Sequence, residues 1–449
     1  MPAYTYKNSG IAWLGEVPEH WRETGLKNLF TVKPSNVDKR INEEEQEVKL
    51  CNYVDVYYND FITSDLNFMD GSANEHEINK FQLEVGDVII TKDSEDPSDI
   101  GIPTLVKETF TNLVCGYHLS MLRPRKKDIK GDYLFWLLKD YSIASQLFRE
   151  ATGVTRWAIA SRHIKSVKLP LPPLPEQKSI ASYLEKACAK IDRVIAIKQE
   201  QLQKMEGYWG RKVDETIVNG LENFDKKDSR KDFIGKIPKH YKVVKLKHIC
   251  IQVTDGAHFT PNYIHSPLKK DIPFLRVTDI QTEKINLDRT KFIELAEHIE
   301  LSKRCHPEKG DLLLSKNGTI GITKVVDWEY EFSIFVSLCL IKPTEFLNPF
   351  YLNYYFKSDI MKYQLANGSK QITVTNLHLD KIREFYIVLP PLKEQIQLVE
   401  ILKTLEKKTE TLKTKLTTQI TTLKAYRKSL IHECVTGKKQ VFEGKKIAV

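Results

Sequence analysis

Leu171-Pro172-Pro173-Leu174-Pro175-Glu176-Gln177 and Leu389-Pro390-Pro391-Leu392-Lys393-Glu394-Gln395 are two copies of one stretch, 218 residues apart in a chain of 449. Each opens a long run that closes on a matching Val-x-Gly, at Val218-Asn219-Gly220 and at Val435-Thr436-Gly437. A repeat of that length makes the chain its own first half, twice. The prolines stop the preceding element and favour extended backbone before them. Pro175 suits a first helical turn, where a missing N–H costs nothing. Glu176 and Glu394 fall where the helix dipole favours negative charge. Apolar residues then recur in three- and four-residue steps. In the first copy they are Ile180, Leu184, Ala187, Ile191, Val194, Leu202, Met205, Trp209, Val213 and Ile217. In the second they are Ile401, Leu405, Leu412, Leu416, Leu423 and Leu430. The spacing predicts two helices of about 40 residues, roughly 60 Å long, each with one narrow apolar seam. Gly220 and Gly437 supply the left-handed residue that ends each. A seam of that length needs a partner, and each copy is the partner of the other. The short link after Gly220 favours antiparallel pairing, as a rod with one globular unit at each end.

Each half also opens alike, with Leu14-Gly15-Glu16-Val17-Pro18-Glu19-His20-Trp21 matching Ile234-Gly235-Lys236-Ile237-Pro238-Lys239-His240-Tyr241. Short runs rich in Val, Ile, Tyr and Phe follow, broken by Gly, Asn and Asp, and read as strands and turns. Gly86-Asp87-Val88-Ile89-Ile90-Thr91-Lys92 pairs with Gly310-Asp311-Leu312-Leu313-Leu314-Ser315-Lys316, each a turn, a buried strand and a lysine at its exit. A short helix follows in each half, at Tyr133 to Leu138 and at Tyr351 to Phe356. Then come Ala151-Thr152-Gly153 and Ala366-Asn367-Gly368, each leading into a basic, hydroxyl-rich loop. His163 and His378 lie 215 residues apart, the same offset as those glycines. The predicted architecture is α+β: two repeated mixed α/β domains joined by two long helices packed as an antiparallel coiled coil. The first domain takes residues 1–168, and the first helix with its proline entry 169–220. The second domain takes 221–386, and the second helix with its tail 387–449.

Composition sets bounds. A hydrophobic content of 41% supports real cores. The net charge of +9 suits nucleic acid without requiring it. Seven cysteines stand singly with no CxxC pair, which argues for reduced thiols in a cytoplasm and against a zinc site. Met1 to Gly10 has no apolar core for a signal peptide, and no apolar run reaches membrane-spanning length. No phosphate loop, GxGxxG or HExxH is present. Asn348-Pro349-Phe350-Tyr351 lacks the second proline of an amino-methyltransferase pocket and reads as a helix-capping turn.

These pieces together resemble the specificity subunit of type I restriction–modification enzymes. The doubled Leu-Pro-Pro-Leu-x-Glu-Gln followed by a long helix is the specific part. The resemblance implies a non-catalytic subunit with two target-recognition domains, each reading half of a bipartite, asymmetric site on double-stranded DNA. The helices would set the unspecified gap. The implied partners are two methyltransferase subunits and two restriction/translocase subunits. S-adenosylmethionine, ATP and magnesium belong on those partners and no cofactor or metal on this chain. The alternatives are the specificity subunit of a methyltransferase-only complex, a single-chain methyltransferase or nuclease, and a structural adaptor without sequence preference.

On that reading the residues expected at DNA are Lys92, Thr155, Arg156 and Arg162 in the first half, and Lys316, Asn317, Lys370, Gln371 and Thr373 in the second. Arginine can bridge guanine and glutamine adenine with paired hydrogen bonds. The bland reading of Lys92 and Lys316 is that of solvated loop lysines. Trp157 stacks on a base or belongs to the core, and His163 and His378 support their loops. Asp93, Glu95, Asp96 and Asp99 form an acidic loop that would repel phosphate, read a cytosine amino group or turn away. The structural signature is Pro172, Pro173, Glu176, Gln177 and Gly220 with Pro390, Pro391, Glu394, Gln395 and Gly437. Gly207 and Gly210 interrupt the first helix, which suggests close approach of the opposing helix or of a partner subunit.

Overall fold

The computed structural model of the protein describes residues 4–11, 14–108, 110–125, 129–222, 224–265, 267–268, 270–368 and 376–441. The chain forms two compact units, one of residues 1–198 with the chain from Thr418 onward, the other of residues 199–417. Both limits fall inside the long helices, so each unit owns one half of each helix.

The strand Val88–Thr91 lies mid-sheet in the first unit, in the order Phe30–Pro34, Leu119–Pro124, Val88–Thr91, Pro103–Val106, Phe61–Ile62. All four of its residues are buried, as a continuous Val-Ile-Ile run requires. Gly86 adopts φ +92° in the turn before it, a conformation glycine reaches without steric cost. Asp87 closes that turn by accepting from the Glu84 backbone N–H at 2.9 Å and from Arg123 Nη2 at 2.6 Å. The second unit repeats the device with Gly310 at φ +94°. There Asp311 accepts from the Glu308 N–H at 2.7 Å and from Lys342 Nζ at 2.8 Å. The Gly-Asp pair is thus a turn whose carboxylate pins the neighbouring strand. The second unit's main sheet runs Cys250–Asp255, Leu338–Pro343, Leu312–Ser315, Thr323–Val325. The predicted short helices are Gly131–Lys139 and Pro349–Phe356. Asn348 caps the latter, its side chain accepting from Phe350 N at 2.9 Å and Tyr351 N at 3.1 Å, which is the capping turn read from the sequence.

The long helices are Leu174–Asn219 and Leu392–Val435, of 46 and 44 residues. They pair antiparallel: in the first unit Lys198 Nζ donates to Gln419 Oε1 at 2.7 Å, while Arg427 Nε donates to Asp192 Oδ2 at 3.1 Å. The seam departs from a strict heptad. Ile401 and Leu412 are 42% and 53% exposed, whereas Leu402 and Thr409 are buried. Inward positions run 402, 405, 409, 413, 416, 420, with two successive four-residue steps around Thr409. Such a step shifts the heptad phase and brings Lys413 inward in place of Leu412. In the first helix Ile195 takes the seam at 7% exposure, not Val194 at 41%.

The signature residues meet in one place in each unit. In the first, His20 Nε2 lies 2.8 Å from Glu176 Oε2, Tyr4 donates to the same carboxylate at 2.7 Å, and Gln177 donates to the Pro172 carbonyl at 2.9 Å. In the second, His240 and Tyr241 bind Glu394 at 2.9 and 2.8 Å. Gln395 donates to the Pro390 and Phe346 carbonyls at 2.9 Å and accepts from Asn348 N at 2.8 Å. Glu176 and Glu394 therefore hold the opening motif, which goes beyond the dipole role expected of them. The helix-ending glycines join the same places. Gly220 has φ +73°, and a Cβ there would sit 2.7 Å from Tyr241 Oη. Gly437 has φ +75°, and a Cβ there would sit 2.3 Å from Pro18 Cδ. Each opening motif thus seats the end of the helix that belongs, in sequence, to the other copy.

What approaches Gly210 is another helix of the same unit, not the opposing long helix. A Cβ there would lie 2.1 Å from Asp359 Oδ1, in the first turn of the helix Asp359–Gly368 of the same unit. At Gly207 the nearest neighbour is Arg211 Nη1, at 3.5 Å.

Candidate nucleic-acid interface

The chain leaves the central strand of the first unit at Lys92 and runs into Asp93–Ser94, which pairs with Trp157–Ala158 of the loop after Gly153. That pairing brings Lys92 and Arg156 together. Lys92 is not a solvated lysine: its side chain is 16% exposed and its Nζ lies 3.2 Å from Asp93 Oδ2 and 4.6 Å from the Tyr117 ring centre. Arg156 Nη2 donates to Asp93 Oδ1 at 2.7 Å, and His118 Nδ1 lies 2.6 Å from the same oxygen. Burial would raise the Asp93 carboxyl, but Lys92, His118 and Arg156 hold it below the usual carboxylate range. Burial together with Arg156 and Lys92 lowers His118 against the opposing pull of Asp93.

The acidic loop is only partly what its sequence suggests. Asp93 is buried and paired, and Asp99 accepts from Tyr57 Oη at 3.1 Å and Ser94 Oγ at 3.3 Å. Glu95 and Asp96 alone are exposed. Thr155 lies exposed between the strands Thr152–Gly153 and Trp157–Ala158, beside Val154 at 94% exposure. Arg162 is exposed, its Nε donating to His163 Nε2 at 3.0 Å, while His163 Nδ1 pairs with Glu150 at 2.9 Å. Trp157 is half-buried in its short strand.

The second unit builds a like cluster at Lys316. Its side chain is 7% exposed, and Nζ lies 3.2 Å from Asp255 Oδ2, itself 5% exposed. His258 Nε2 lies 2.9 Å and Arg304 Nη2 2.5 Å from Asp255 Oδ1. Burial would raise the Asp255 carboxyl, and His258 and Lys316 hold it low. Arg304 borders two recesses of this unit. One, of about 400 Å³, also has Lys247 and Arg383 in its wall. The other, of about 200 Å³, also has His258 and Phe259. Asn317 bridges to Asn376, and the side-chain oxygens of both are buried without a hydrogen-bond partner. Lys370, Gln371 and Thr373 lie outside the described residues.

His118, Asp255, His258 and Arg304 were not among the residues expected from sequence. Asp255 and His258 are three residues apart, but Arg304 reaches Asp255 across 49 residues. His163 and His378 are not equivalents either. The Ile159 N–H donates to the Lys92 carbonyl as the Leu377 N–H does to that of Lys316, so His378 corresponds to Ala160. Gln146 bonds Lys168 as Gln364 bonds Tyr386, so the repeat offset is 218 on both sides of these loops, and Gly153 and Gly368, 215 apart, are themselves not equivalent. Among the described residues no group of His, Cys, Asp and Glu is arranged to hold a metal ion, and no helix is long and apolar enough to cross a membrane.

A family model for the type I restriction modification DNA specificity domain matches twice, over residues 18–206 and 238–422. The chain belongs to this family. It is 25% identical over 442 residues to the type I restriction enzyme MjaVIII specificity subunit of Methanocaldococcus jannaschii, covering 95% of this chain and 94% of that one. It is 27% identical over 267 residues to the EcoBI specificity subunit of Escherichia coli, covering 57% and 55%. A chain from a structural study of the assembly and conformational transition of the type I R-M system shares the fold. Its TM-score is 0.73 at 18% identity, and the match covers 94% of this chain and 99% of that one. The type I specificity chain is thus an α+β protein with two copies of the specificity domain and two long helices.

Proposed function

We propose that this chain is the non-catalytic subunit that directs a type I restriction–modification complex to a bipartite, asymmetric DNA site. Each unit reads one half-site and the paired helices set the gap. The observation that carries this reading is the doubling. Two units keep the same sheet exit, at Lys92 and Lys316, yet carry different loops around it. Two like scaffolds with unlike loops suit two unlike half-sites, and half-site spacing then follows from protein geometry. A pair of long helices holds a spacing better than a flexible linker. Thr155, Arg156 and Arg162 are the contact residues of the first unit, with Lys92 seated behind them at the sheet exit. Asn317, Lys370, Gln371 and Thr373 are those of the second, with Lys316 in the matching seat. Two methyltransferase subunits supply S-adenosylmethionine chemistry on an adenine flipped from the stack. Two restriction/translocase subunits use ATP and magnesium. The working compartment is the cytoplasm. The test is a base-modification map of cells carrying this chain with its methyltransferase subunit, against cells lacking this chain alone. N6-methyladenine at a two-part site that depends on this chain is the expected result. Absence of any dependent motif refutes the reading.

A further inference from the structure

We infer that each unit carries one guanine-reading arginine, Arg156 in the first and Arg304 in the second, braced by a buried aspartate; Lys92 and Lys316 brace the carboxylate and do not touch DNA. This rests on the DNA-reading function proposed above and assigns the residues that deliver it.

The argument begins with composition. Each cluster holds one Asp, one Lys, one His and one Arg about a single carboxylate. Only the lysine is inherited from the repeat. Lys92 N donates to the carbonyl of His118, and Lys316 N to that of Ser337, at the same point in each sheet. The other three come from unlike places. Asp93 follows its lysine directly, whereas Asp255 ends the edge strand and faces Cys339, where the first unit has Pro34 facing Ser120. His118 precedes the strand Leu119–Pro124, while His258 follows Asp255. Arg156 lies in a hairpin loop, while Arg304 follows the helix Leu295–Ser302. A scaffold contact would recur at repeat-related positions. This composition has been assembled twice from different ones, as a shared task at the sheet exit requires.

Burial divides the labour. The aspartates are 10% and 5% exposed and the lysines 16% and 7%, so in each unit the Asp-Lys pair forms a closed base. The arginines are 55% and 57% exposed. Arg156 engages its partners through Nε and Nη2, and Arg304 its side-chain partners through Nη2. Nη1 of each has no hydrogen-bond partner among the described residues. The guanidinium is therefore held in orientation while donors stay open. With His118 Nδ1 and His258 Nε2 donating to the carboxylate, they cannot accept from Nη2, so its second hydrogen stands beside Nη1 as a planar fork that matches the O6 and N7 acceptors of guanine in the major groove. One carboxylate faces a lysine and an arginine, so the cluster keeps excess positive charge that suits an electron-rich base edge beside phosphates.

The test uses the full chain with its methyltransferase subunit and reads N6-methyladenine sites for Arg156→Gln and Arg304→Gln. Each variant is expected to lose about 10- to 100-fold in preference for guanine at one position of one half-site, a different half-site for each. Arg→Lys at either position does not restore it, because lysine lacks the fork. An unchanged motif in both variants, with a wild-type motif present, overturns the inference and leaves the DNA-reading function standing. A uniform loss at all positions, steepened by salt, also overturns it, since that marks phosphate contact. A wild type without any motif refutes the function itself and the inference with it. The melting temperatures of both variants are expected to match wild type, since each replaced side chain is more than half exposed.

Discussion

Replacing Gln395 by alanine tests whether the proline-rich signature is a structural lock. The Gln395 side chain is fully buried and satisfies three backbone groups from two segments: the Pro390 and Phe346 carbonyls and the Asn348 N–H. It ties the helix entry to the loop that starts the helix Pro349–Phe356. Alanine leaves the Pro390 carbonyl buried without a partner and deprives the part-exposed Phe346 carbonyl and Asn348 N–H of theirs. Each such group costs about 1–3 kcal/mol, and water entering the space left by the amide relieves part of this. The expected loss is about 3–5 kcal/mol, a large share of the roughly 5–15 kcal/mol that holds a domain folded. For a unit of this size the melting temperature falls by about 10 °C, at roughly 2–4 °C per kcal/mol. Differential scanning calorimetry of the full chain reads this directly. Lys393→Ala, at an exposed position of the same turn, is the control and shifts stability by no more than about 0.5 kcal/mol. A Gln395→Ala shift no larger than that of the control would refute the lock.

Two left-handed glycines, one in the opening turn and one at a helix end, separate backbone strain from steric fit. Gly15→Ala, at φ +73° with nothing within 4 Å, costs about 1 kcal/mol from the left-handed backbone alone. Gly437→Ala costs about 2 kcal/mol more in urea denaturation, because its Cβ meets Pro18; equal losses would sink the packing argument. The two interrupting glycines of the first long helix have opposite signs. Gly207→Ala stabilises by about 0.5–1 kcal/mol of helix propensity, whereas Gly210→Ala destabilises because Asp359 occupies the space. Both are read by thermal melts, and a stabilising Gly210→Ala would refute the contact. Asp214 gives a pH signature. Burial, with the nearby Asp359 charge, pushes its carboxyl up to about 6, against the hydrogen bond from Ile360 N. A raised carboxyl pKa means the fold favours the neutral acid, so stability falls as pH rises from about 4 through about 6. Asp214→Asn is therefore expected to match wild type near pH 4 and to melt higher at pH 8. An offset that does not vary with pH would contradict the assignment.

Sequence by itself determined the duplication, the two long antiparallel helices, the Gly-Asp turns and the capping at Asn348. Each rests on chemistry confined to a few neighbouring residues: proline's fixed φ, glycine's left-handed freedom, a carboxylate or amide reaching its own turn. Glu176, Glu394 and Gln395 were visible as signature residues, but their partners were not, since His20 and Phe346 lie far along the chain from them. Heptad counting failed at Thr409 because Leu398 and Leu402 pack into the core of their own unit, and no local property of Leu412 or Lys413 announces the phase this sets. An offset taken from Gly153 and Gly368 likewise misplaced His378, because those glycines only look alike, and the backbone pairing together with the matching Gln146 and Gln364 bonds is what reveals the true offset. The site was the least legible part. Lys92, Arg156 and Lys316 were named as basic residues in loops, but their burial and pairing were decided by the sheet exit that gathers Asp93 with His118 and Asp255 with Arg304. Charge is written residue by residue, whereas the desolvation and pairing that turn a charge into a brace or a reading group depend on which distant segments the fold brings within about 3 Å of one another.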